Sequence, residues 1–354
     1  MSWNDYTLGD VLTLKRGHDL PEKRRVYGDV PVVSSSGITG YHNEPKAQPP
    51  GVVTGRYGTI GEVYFIDQPY WPLNTALYVV DFKGTDPQFA AYLLRNTLRN
   101  YKSEKAAVPG VDRNVLHRIK VRAPDENEQK AIVSVLAAYD DLIENNRRRI
   151  ALLEEAARLL YREWFVHLRF PGHEHTKTTD GLPEGWERRP LGSILTLQRG
   201  FDLPVAKREP GEVPVFGSTG VVGNHNTAKV KFPTIITGRS GSLGQLCLVQ
   251  EPCWPLNTAL WVKEFQAVSL YFAYFLLESM DLRQFNGGAS VPTLDRKVVH
   301  AVEVALPPKM LISLFDEQAF SLIAQKRVLE QQNEKLAQAR DLLLPRLMNG
   351  EIAV

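Results

Sequence analysis

The chain is short of cysteine, of long apolar runs and of net charge. Only Cys247 and Cys253 occur among its 354 residues, which indicates a reducing compartment, the cytoplasm. No run of about 18 apolar residues is present, so no membrane span is predicted, and MSWNDYTLGD lacks the basic and apolar parts of a signal peptide. The formal net charge of +2 neither requires nor excludes nucleic acid, because a basic face can exist within a balanced total.

The chain also lacks the motifs of several enzyme classes. GRYGTIG and GRSGSLG are rich in glycine, but their G-x-x-G-x-x-G spacing matches neither the dinucleotide fingerprint nor the P-loop. No Asn-Pro-Pro-Tyr or Asp-Pro-Pro-Tyr of adenine methyltransferases occurs. Two cysteines alone make a poor zinc site. A standalone nuclease or methyltransferase is therefore disfavoured, and no catalytic or metal-binding residue is predicted.

What the chain does contain is a long repeat. WPLNTAL stands at 71–77 and again at 254–260, and a shift of 183 residues aligns the sequence far beyond it without a gap. LTLKRGHDLP falls on LTLQRGFDLP, and VPGVDR falls on VPTLDR. About half of positions 8–79 are identical in the two copies. Solenoid repeats have periods of about 20–50 residues, so this period predicts a duplicated domain.

The first part of each copy, residues 1–124 and 185–308, predicts a globular domain. Short apolar runs separated by turn residues predict strands at 30–33, 51–54, 62–66 and 77–80. A helix is predicted at 87–99, with its counterpart at 269–283. The mixture predicts an α+β fold built on twisted β-sheets.

The second part of each copy predicts a long helix, at 125–167 and at 309–349, with an exposed linker at 168–184. Apolar residues recur every three or four positions in the first helix and every seven in the second, which is typical of a coiled coil. The polar Lys326, Asn333 and Arg340 interrupt the second helix at positions that set register and partner. Pro345 is predicted to end or bend it. The positions assigned to the coiled coil or to subunit docking are Ile143, Asn146, Ile150, Leu153, Leu160, Leu322, Leu329, Leu336 and Leu343.

Two equal domains, each followed by such a helix, predict one arrangement. The helices pair antiparallel and relate the two copies by a pseudo-two-fold axis, as the subunits of a homodimer are related. The helices then fix the distance between the two domains. Duplex DNA, with its two-fold axes and fixed repeat, is the object that such a protein suits.

The order of motifs resembles a known family. W…LGDVLTLKRG…VPVV…TGRYGTIG…VPGVDR…APDENEQKAIVSVLAAYDDLIENNRRRI is similar to the specificity (S) subunits of type I restriction–modification systems. GLPEGWERRPLGSI resembles the start of that family's second recognition domain. The resemblance extends over essentially the whole chain and includes the duplicated domain–helix layout.

The resemblance implies a non-catalytic DNA-recognition subunit. Each domain would be a target recognition domain for one half of a bipartite DNA site, and the helices would set the spacer and dock two methyltransferase (M) subunits. The M subunits would bind S-adenosylmethionine and methylate adenine, and a restriction (R) subunit with ATP and Mg²⁺ could join. This chain itself would hold no cofactor. The alternative is a duplicated scaffold that binds protein partners without recognising DNA sequence.

Candidate DNA contacts divide into residues shared by the two copies and residues that differ. Shared cations would anchor phosphates, and differing polar residues would distinguish the half-sites. The close similarity of the copies predicts similar half-sites, hence a nearly palindromic site. The candidates in the first copy are Lys15, Arg16, His18, Ser34, Ser36, Tyr41, His42, Arg56, Tyr57, Thr59 and Arg113. The candidates in the second copy are Gln198, Arg199, Phe201, Thr219, Asn224, His225, Arg239, Ser240, Ser242 and Arg296.

Several of these positions also have a structural interpretation. His42 and His225 could support the fold or contact a phosphate, and Arg56 and Arg239 could form structural ion pairs. Within WPLNTAL, tryptophan and the last leucine are predicted to pack in the core, while Asn74 is predicted to brace a turn, with a DNA contact as the alternative. NNRRR at 145–149 is either a solvated helix face or a contact to phosphate or an M subunit.

Overall fold

The computed structural model describes residues 3–57, 61–99, 101, 110–288 and 290–354, and the chain forms two units. Unit 1 comprises residues 1–147 and 330–354, and unit 2 comprises residues 148–329. The first copy of the repeat contains β1 (Asn4–Thr7), α1 (Leu8–Val11), β2 (Thr13–Arg16), β3 (Val30–Ser34), β4 (Gly37–His42), β5 (Gly51–Gly55), β6 (Val63–Ile66), β7 (Trp71–Pro72), β8 (Ala76–Asp81), α2 (Pro87–Arg99), α3 (Arg113–His117), β9 (Lys120–Ala123) and α4 (Glu126–Tyr161). The rest of the chain contains β10 (Thr178–Thr179), β11 (Leu182–Pro183), β12 (Glu187–Pro190), β13 (Leu195–Arg199), β14 (Val213–Gly217), β15 (Gly220–His225), β16 (Thr234–Gly238), β17 (Leu246–Val249), β18 (Trp254–Pro255), β19 (Ala259–Phe265), α5 (Leu270–Ser279), α6 (Arg296–Ala301), β20 (Glu303–Leu306) and α7 (Lys309–Met348).

Both units have the same sheet topology. In unit 1 a four-stranded antiparallel sheet has the order β2-β8-β5-β6, and a three-stranded sheet has the order β4-β3-β7. Unit 2 repeats these sheets as β13-β19-β16-β17 and β15-β14-β18. In each unit a further two-stranded sheet pairs the first strand with the last, β1 with β9 and β12 with β20. The predicted α+β class, with two sheet-rich domains and two long helices, is confirmed.

The helix predicted at 269–283 is interrupted in the structure. Helix α5 ends at Ser279, and a separate 3₁₀ turn covers Leu282–Phe285. Asp281 stands between them with φ of 41°, in the left-handed region. Because a non-glycine residue there cannot continue a right-handed helix, the segment divides at this point.

The core of unit 1 takes residues from both ends of the chain. Leu8, Phe89 and Ile132 are fully buried together with Leu347 and Met348, which are 1% and 2% exposed. The last turns of α7 therefore complete the hydrophobic core of the first copy's domain.

The core of unit 2 has the same plan with aromatic side chains. Phe315 of α7 is fully buried, with its ring centroid 5.2 Å from that of Phe165 and 5.8 Å from those of Tyr161 and Phe275. Trp164 packs against the same cluster. Trp164 and Phe165, near the end of the first long helical segment, therefore pack against the globular part of unit 2. A π-helical turn over Arg162–Val166 follows α4 and carries both residues.

Polar pairs join α4 to α7 within each unit. In unit 1, Asn146 Nδ2 donates to Asn333 Oδ1 at 3.0 Å, and Arg340 Nη1 lies 2.5 Å from Asp140 Oδ1. In unit 2, Lys326 Nζ lies 2.8 Å from Glu154 Oε1. All three polar interruptions of the second helix thus have a polar partner on the first. As residue numbers rise along α4 they fall along α7, so the helices run antiparallel within each unit.

The residues assigned to the coiled coil or to subunit docking are buried or half-buried. Ile143, Asn146 and Leu329 are buried, and the other six positions are half-buried. Those six half-buried positions are Ile150, Leu153, Leu160, Leu322, Leu336 and Leu343.

The pair of buried Asn146 and half-buried Asn333 leads to a stability prediction. Asn146→Leu alone is expected to lower the unfolding free energy by about 1–3 kcal/mol, because Asn333 Oδ1 loses its donor. Replacing both asparagines with leucine is expected to restore stability to at least the wild-type value. Thermal unfolding measures both variants, with Asn145→Leu at an exposed neighbouring position as the control. Equal stability of single and double variants would contradict the pairing.

Pro345 does not end α7, so that part of the prediction for this residue is wrong. The helix continues to Met348, one turn beyond the proline. Proline has no N–H to donate to the carbonyl of Asp341, four residues earlier. Arg99 of α2 replaces that donor, since its Nη1 donates to the Asp341 carbonyl at 2.9 Å. This bond satisfies the carbonyl that the proline leaves unpaired.

The segment 168–184, predicted as an exposed linker, contains a small hairpin. Strands β10 and β11 pair antiparallel through the two-residue turn Asp180-Gly181. Both turn residues have positive φ, 52° and 74°. Asp-Gly is a preferred dipeptide for such a turn. The same two letters in the sequence could have predicted the hairpin.

Candidate nucleic-acid interface

The repeated heptapeptide WPLNTAL organises two neighbouring loops through its carbonyl groups. His18 N donates to the Pro72 carbonyl at 2.7 Å, and Arg56 N donates to the Thr75 carbonyl at 2.9 Å. In the second copy the equivalent bonds are 2.8 Å long in both cases. The heptapeptide therefore holds the backbone of the loop after β2 and of the loop after β5.

The backbone after β2 and after β13 passes so close to the heptapeptide that a glycine is required there. A Cβ on Gly17 would lie 2.2 Å from the Leu73 carbonyl oxygen, and a Cβ on Gly200 would lie 2.2 Å from that of Leu256. Such distances are far inside van der Waals contact, so no larger residue fits. The glycines fix the neighbouring Arg16 and Arg199 at the ends of their strands.

Asn74 braces the turn as predicted. Its Nδ2 donates to Asp19 Oδ1, and Asp19 Oδ1 lies 3.7 Å from Arg16 Nη2. Asn257 makes the same bond to Asp202 in the second copy. Trp71 and Leu77 are 7% and 1% exposed, which confirms their predicted place in the core. The heptapeptide thus supports the loops that carry the cations.

Three arginines converge on one groove in each unit. The first groove has a volume of about 340 Å³ and is lined by Arg16, Arg56, Tyr57, Leu77, Gly110, Val111, Asp112 and Arg113. The second groove has a volume of about 460 Å³ and is lined by Arg199, Arg239, Leu260, Gly287, Thr293, Leu294, Asp295 and Arg296. Seven of the eight lining positions of each groove correspond after the shift of 183 residues. We call these the first and second arginine grooves.

Backbone bonds connect the separate segments of each groove. Val111 N donates to the Arg56 carbonyl at 2.9 Å, and Leu294 N donates to the Arg239 carbonyl at 2.8 Å. Asp112 caps α3 by accepting from Asn114 N, and Asp295 caps α6 in the same way. Each cap places the following arginine, Arg113 or Arg296, at the first position of a helix.

Each groove has an excess of positive charge. It contains three guanidinium groups and one carboxylate, and that carboxylate accepts the N–H of its own helix start at 2.8 Å. Arginine is the side chain best suited to bidentate binding of phosphate oxygens or of guanine O6 and N7. The groove can therefore hold an anion or the edge of a base.

The structure brings seven of the predicted DNA-contact residues into the grooves. They are Arg16, Arg56, Tyr57, Arg113, Arg199, Arg239 and Arg296. Outside the grooves, the exposed candidates are Lys15, Ser36, Tyr41, Thr219, Asn224 and Ser242. Half-buried candidates outside the grooves are His18, Gln198, Phe201 and Ser240. Thr59 lies outside the described residues.

Three predicted DNA contacts are enclosed by the protein, and we withdraw them. His42 and His225 are each 6% exposed, and their Nδ1 atoms accept N–H groups of Val26 and Glu209 at 3.0 Å. Each ring also packs edge-on against Trp71 or Trp254 at 5.2 Å. Ser34 is 7% exposed, and its Oγ donates to the Gly37 carbonyl. Buried polar groups are satisfied within the fold, so these three residues support it.

His18 and Phe201 support the heptapeptide from the side. His18 Nε2 lies 3.2 Å from the Tyr78 hydroxyl, and burial together with nearby Lys15 lowers the pKa of its imidazole. Phe201 lies with its ring centroid 6.1 Å from that of Trp261. The two residues occupy equivalent positions of the repeat. Both side chains are half-buried and pack against aromatic rings, so they contribute to the packing of each domain.

A histidine clamp joins the two arginine-bearing segments of each groove. Leu14 N donates to His117 Nε2, and Leu197 N donates to His300 Nε2, both at 2.9 Å. These amides lie at the irregularities in strand register, between Thr13 and Leu14 in one copy and between Thr196 and Leu197 in the other. A β-bulge leaves an amide without its ladder partner, and the imidazole satisfies it. The clamp ties α3 to β2, and α6 to β13.

The clamp makes stability depend on pH. Burial first, then nearby Arg113 or Arg296, lowers the pKa of both imidazoles below 6.5, since each must stay neutral to accept. A group whose pKa is lowered by folding stabilises fully above its unfolded pKa and loses that contribution as pH falls through the folded pKa. The melting temperature is therefore expected to fall as the pH drops below about 6.5. In the double variant His117→Gln, His300→Gln this fall should be smaller; an unchanged pH profile would contradict the clamp.

Other chemistry has little support among the described residues. In that part of the chain no group of three His, Cys, Asp or Glu side chains could hold a metal ion. Cys253 is buried, and burial raises the pKa of its thiol to about 12, which makes it a poor nucleophile. Among the helices of the described residues, none has the length and apolarity needed to cross a bilayer.

The sequence analysis did not identify Gly110 and Thr293, which line the grooves beside the arginines. Gly110 and Thr293 face the loops after β5 and β16 through isolated β-bridges to Tyr57 and Ser240. The repeated VPGVDR and VPTLDR contained the signal, because aspartate directly before a helix is a preferred cap. Only its arginine was selected as a candidate.

Comparison with known proteins gives one family. A model described as the type I restriction modification DNA specificity domain matches residues 1–155 and again 183–317. The chain is 23% identical over 327 residues to the specificity subunit of the type I restriction enzyme MjaIX of Methanocaldococcus jannaschii, covering 83% of this chain and 76% of that protein. It is 21% identical to the HindI specificity subunit of Haemophilus influenzae, covering 75% of this chain and 77% of that protein. Its fold is similar to the crystal structure of a type I system S subunit from M. genitalium, with a TM-score of 0.62 and 19% identity over 98% of this chain and 96% of that one.

Proposed function

Since the chain belongs to the type I restriction–modification DNA specificity family, we propose that each of its two domains recognises one half of a bipartite DNA site through its arginine groove. The chain is the specificity component and does not catalyse the reaction. Helices α4 and α7 set the number of unread base pairs between the half-sites. The duplicated arginine groove carries this proposal, because the same cations are built on the same scaffold in both units.

The proposal assigns two kinds of contact. The arginines of each groove neutralise phosphates or bind guanine edges, and the exposed residues that differ between copies distinguish the half-sites. Those exposed differing positions include Lys15, Tyr41 and Asn224. A scaffold without DNA recognition is left with no supporting observation.

Similar domains should recognise similar half-sites. The experiment is to express the chain with an M subunit from the same organism and to sequence the methylated adenines in the DNA of the expression host. The expected motif is a nearly palindromic sequence interrupted by a fixed number of unspecified base pairs. Two unrelated half-sites would contradict the near-palindrome, and methylation without a bipartite motif would contradict the proposed function.

The partners follow from the same proposal. Two M subunits bind S-adenosylmethionine and methylate adenine, and an R subunit would add ATP-dependent cleavage. Leu159 of α4 and Leu342 of α7 occupy equivalent positions of the two copies and are 43% and 69% exposed. Exposed apolar side chains repeated in both copies suit two equivalent docking surfaces, one in each unit.

Docking of the M subunits can be tested at these two leucines. Leu159→Glu and Leu342→Glu, each alone, are expected to leave complexes with one M subunit, and the double variant is expected to leave none, because a charge in an apolar interface is desolvated without a partner. Native mass spectrometry of the co-expressed complex counts the subunits. Gln332→Glu on an exposed position of α7 is the matched control. Full complexes from the double variant would place the docking surface elsewhere.

A further inference from the structure

The three arginines and the aspartate of the two grooves are identical, but a bridged pair of residues beside the central arginine differs in size between the copies. In the first copy Tyr57 forms a β-bridge with Gly110, and both residues line the groove. In the second copy Ser240, which lies beside the groove, forms the equivalent bridge with Thr293, which lines it. A Cβ on Gly110 would lie 3.0 Å from Cε1 and 3.1 Å from Cδ1 of Tyr57. Those distances are tighter than most Cβ contacts, so a larger residue at position 110 would displace the Tyr57 ring by a few tenths of an ångström. The copies have exchanged size between the two positions while keeping the groove.

This pair changes the position of the central arginine. In the first groove the Arg56 guanidinium carbon lies 4.5 Å from the centroid of the Tyr57 ring, a cation–π contact. In the second groove, where serine offers no ring, Arg239 Nη1 donates to the Asn257 carbonyl at 3.0 Å. Within the described part of the chain, the Arg56 side chain makes no such bond to the equivalent carbonyl of Asn74. The same arginine is therefore stacked in one domain and bonded to the backbone in the other.

The difference matters for what each arginine can bind. Stacking on an aromatic face leaves all five N–H donors of a guanidinium in its own plane free for hydrogen bonds. A guanidinium that donates to a carbonyl has one donor fewer and its plane set by that carbonyl. Arg56 can therefore present a bidentate edge to a base or phosphate in an orientation that Arg239 does not share.

We propose that the pairs Tyr57–Gly110 and Ser240–Thr293 are specificity-determining: they position an otherwise identical arginine so that the two domains prefer different base pairs at the equivalent position of their half-sites. The inference rests on the proposed function. Tyr57, Gly110, Ser240 and Thr293 act here as positioning residues, and Arg56 and Arg239 make the contact. The half-sites then differ at the position that the arginine faces, in addition to any position that the exposed differing residues distinguish.

The test exchanges the pairs between domains in the complex with the M subunits. Tyr57→Ser with Gly110→Thr gives the first groove the pair of the second, and Ser240→Tyr with Thr293→Gly does the reverse. Each complex selects DNA from a library randomised across both half-sites, and the selected sequences are read. Gly110→Thr alone, which forces the Tyr57 ring away, serves as the unmatched control.

The expected result is local. The first exchange should change the preference at one base pair of one half-site by about tenfold or more, toward the base preferred in the other half-site, and leave the second half-site unchanged. Weaker binding to all sequences alike, or an unchanged preference in both exchanges, would overturn the inference, since a purely structural role cannot select a base. If the wild-type complex selects no sequence at all, the proposed function fails first, and that outcome is recognisable without any variant.

Discussion

Replacing Arg16, Arg56 and Arg113 together with glutamine is expected to lower the affinity of the complex for its DNA site on the order of 100-fold or more at about 0.1 M salt. The three side chains line one groove. Their backbone segments are held in place by hydrogen bonds to the heptapeptide, by the Asp112 helix cap and by the histidine clamp. Each phosphate contact releases condensed counterions and contributes roughly 0.9 to the slope of log affinity against log salt, so losing three cations should reduce that slope by at most roughly 2.7. Fluorescence anisotropy over a salt series measures both quantities.

The control for this variant removes the same charge elsewhere. Arg118, Lys120 and Lys177 are exposed and lie outside both grooves. Their combined replacement with glutamine changes the net charge equally but should alter the salt slope far less. If the two triple variants lose the same affinity and slope, only total charge matters and the groove does not face DNA. A loss in the groove variant alone supports the proposed interface.

Phe315→Ala is expected to lower the unfolding free energy of unit 2 by about 3–5 kcal/mol, the range found when a fully buried phenylalanine is truncated. Phe315 has no exposed surface and stands among the rings of Tyr161, Phe165, Phe272 and Phe275. The cavity would open where α4, α5 and α7 meet within the unit. Urea unfolding followed by aromatic circular dichroism measures the loss.

The repeat supplies the matched control for this core position. Ile132 occupies the equivalent place in unit 1 and is also fully buried, so Phe315→Ile introduces the residue that the other copy already uses. It should lose less than half as much stability as Phe315→Ala. Phe320→Ala, at a residue 57% exposed in the same helix, should change the free energy by less than about 1 kcal/mol. Equal losses at 315 and 320 would contradict the packing described here.

Much of the fold could be predicted because the internal repeat presents the same sequence patterns in two copies. The duplication, the strands at 30–33 and 51–54, helix α2 and both long helices follow from local patterns of apolar residues and turns. The polar interruptions Lys326, Asn333 and Arg340 also met partners on α4, as their seam positions predicted.

The failures share a physical cause, which is that tertiary context decided them. Whether His42 is exposed depends on Trp71, some thirty positions away, and whether α7 survives Pro345 depends on Arg99. The grooves themselves combine the end of β2, the loop after β5 and the start of α3. Their arginines could be selected from the repeat, but neither their convergence nor the pairing of Tyr57 with Gly110 is visible from spacing.

The division of unit 1 between residues 1–147 and 330–354 has a consequence for biosynthesis. Unit 2 is one continuous segment and can close its core once residue 329 has left the ribosome. The nascent first domain must wait for Leu344, Leu347 and Met348, and until then its apolar surface beside Ile132 stays open to chaperones or to aggregation. Translation that stops early in α7 would thus yield a finished second domain beside an unfinished first one. Such a product would be a substrate for proteolysis rather than a half-functional subunit.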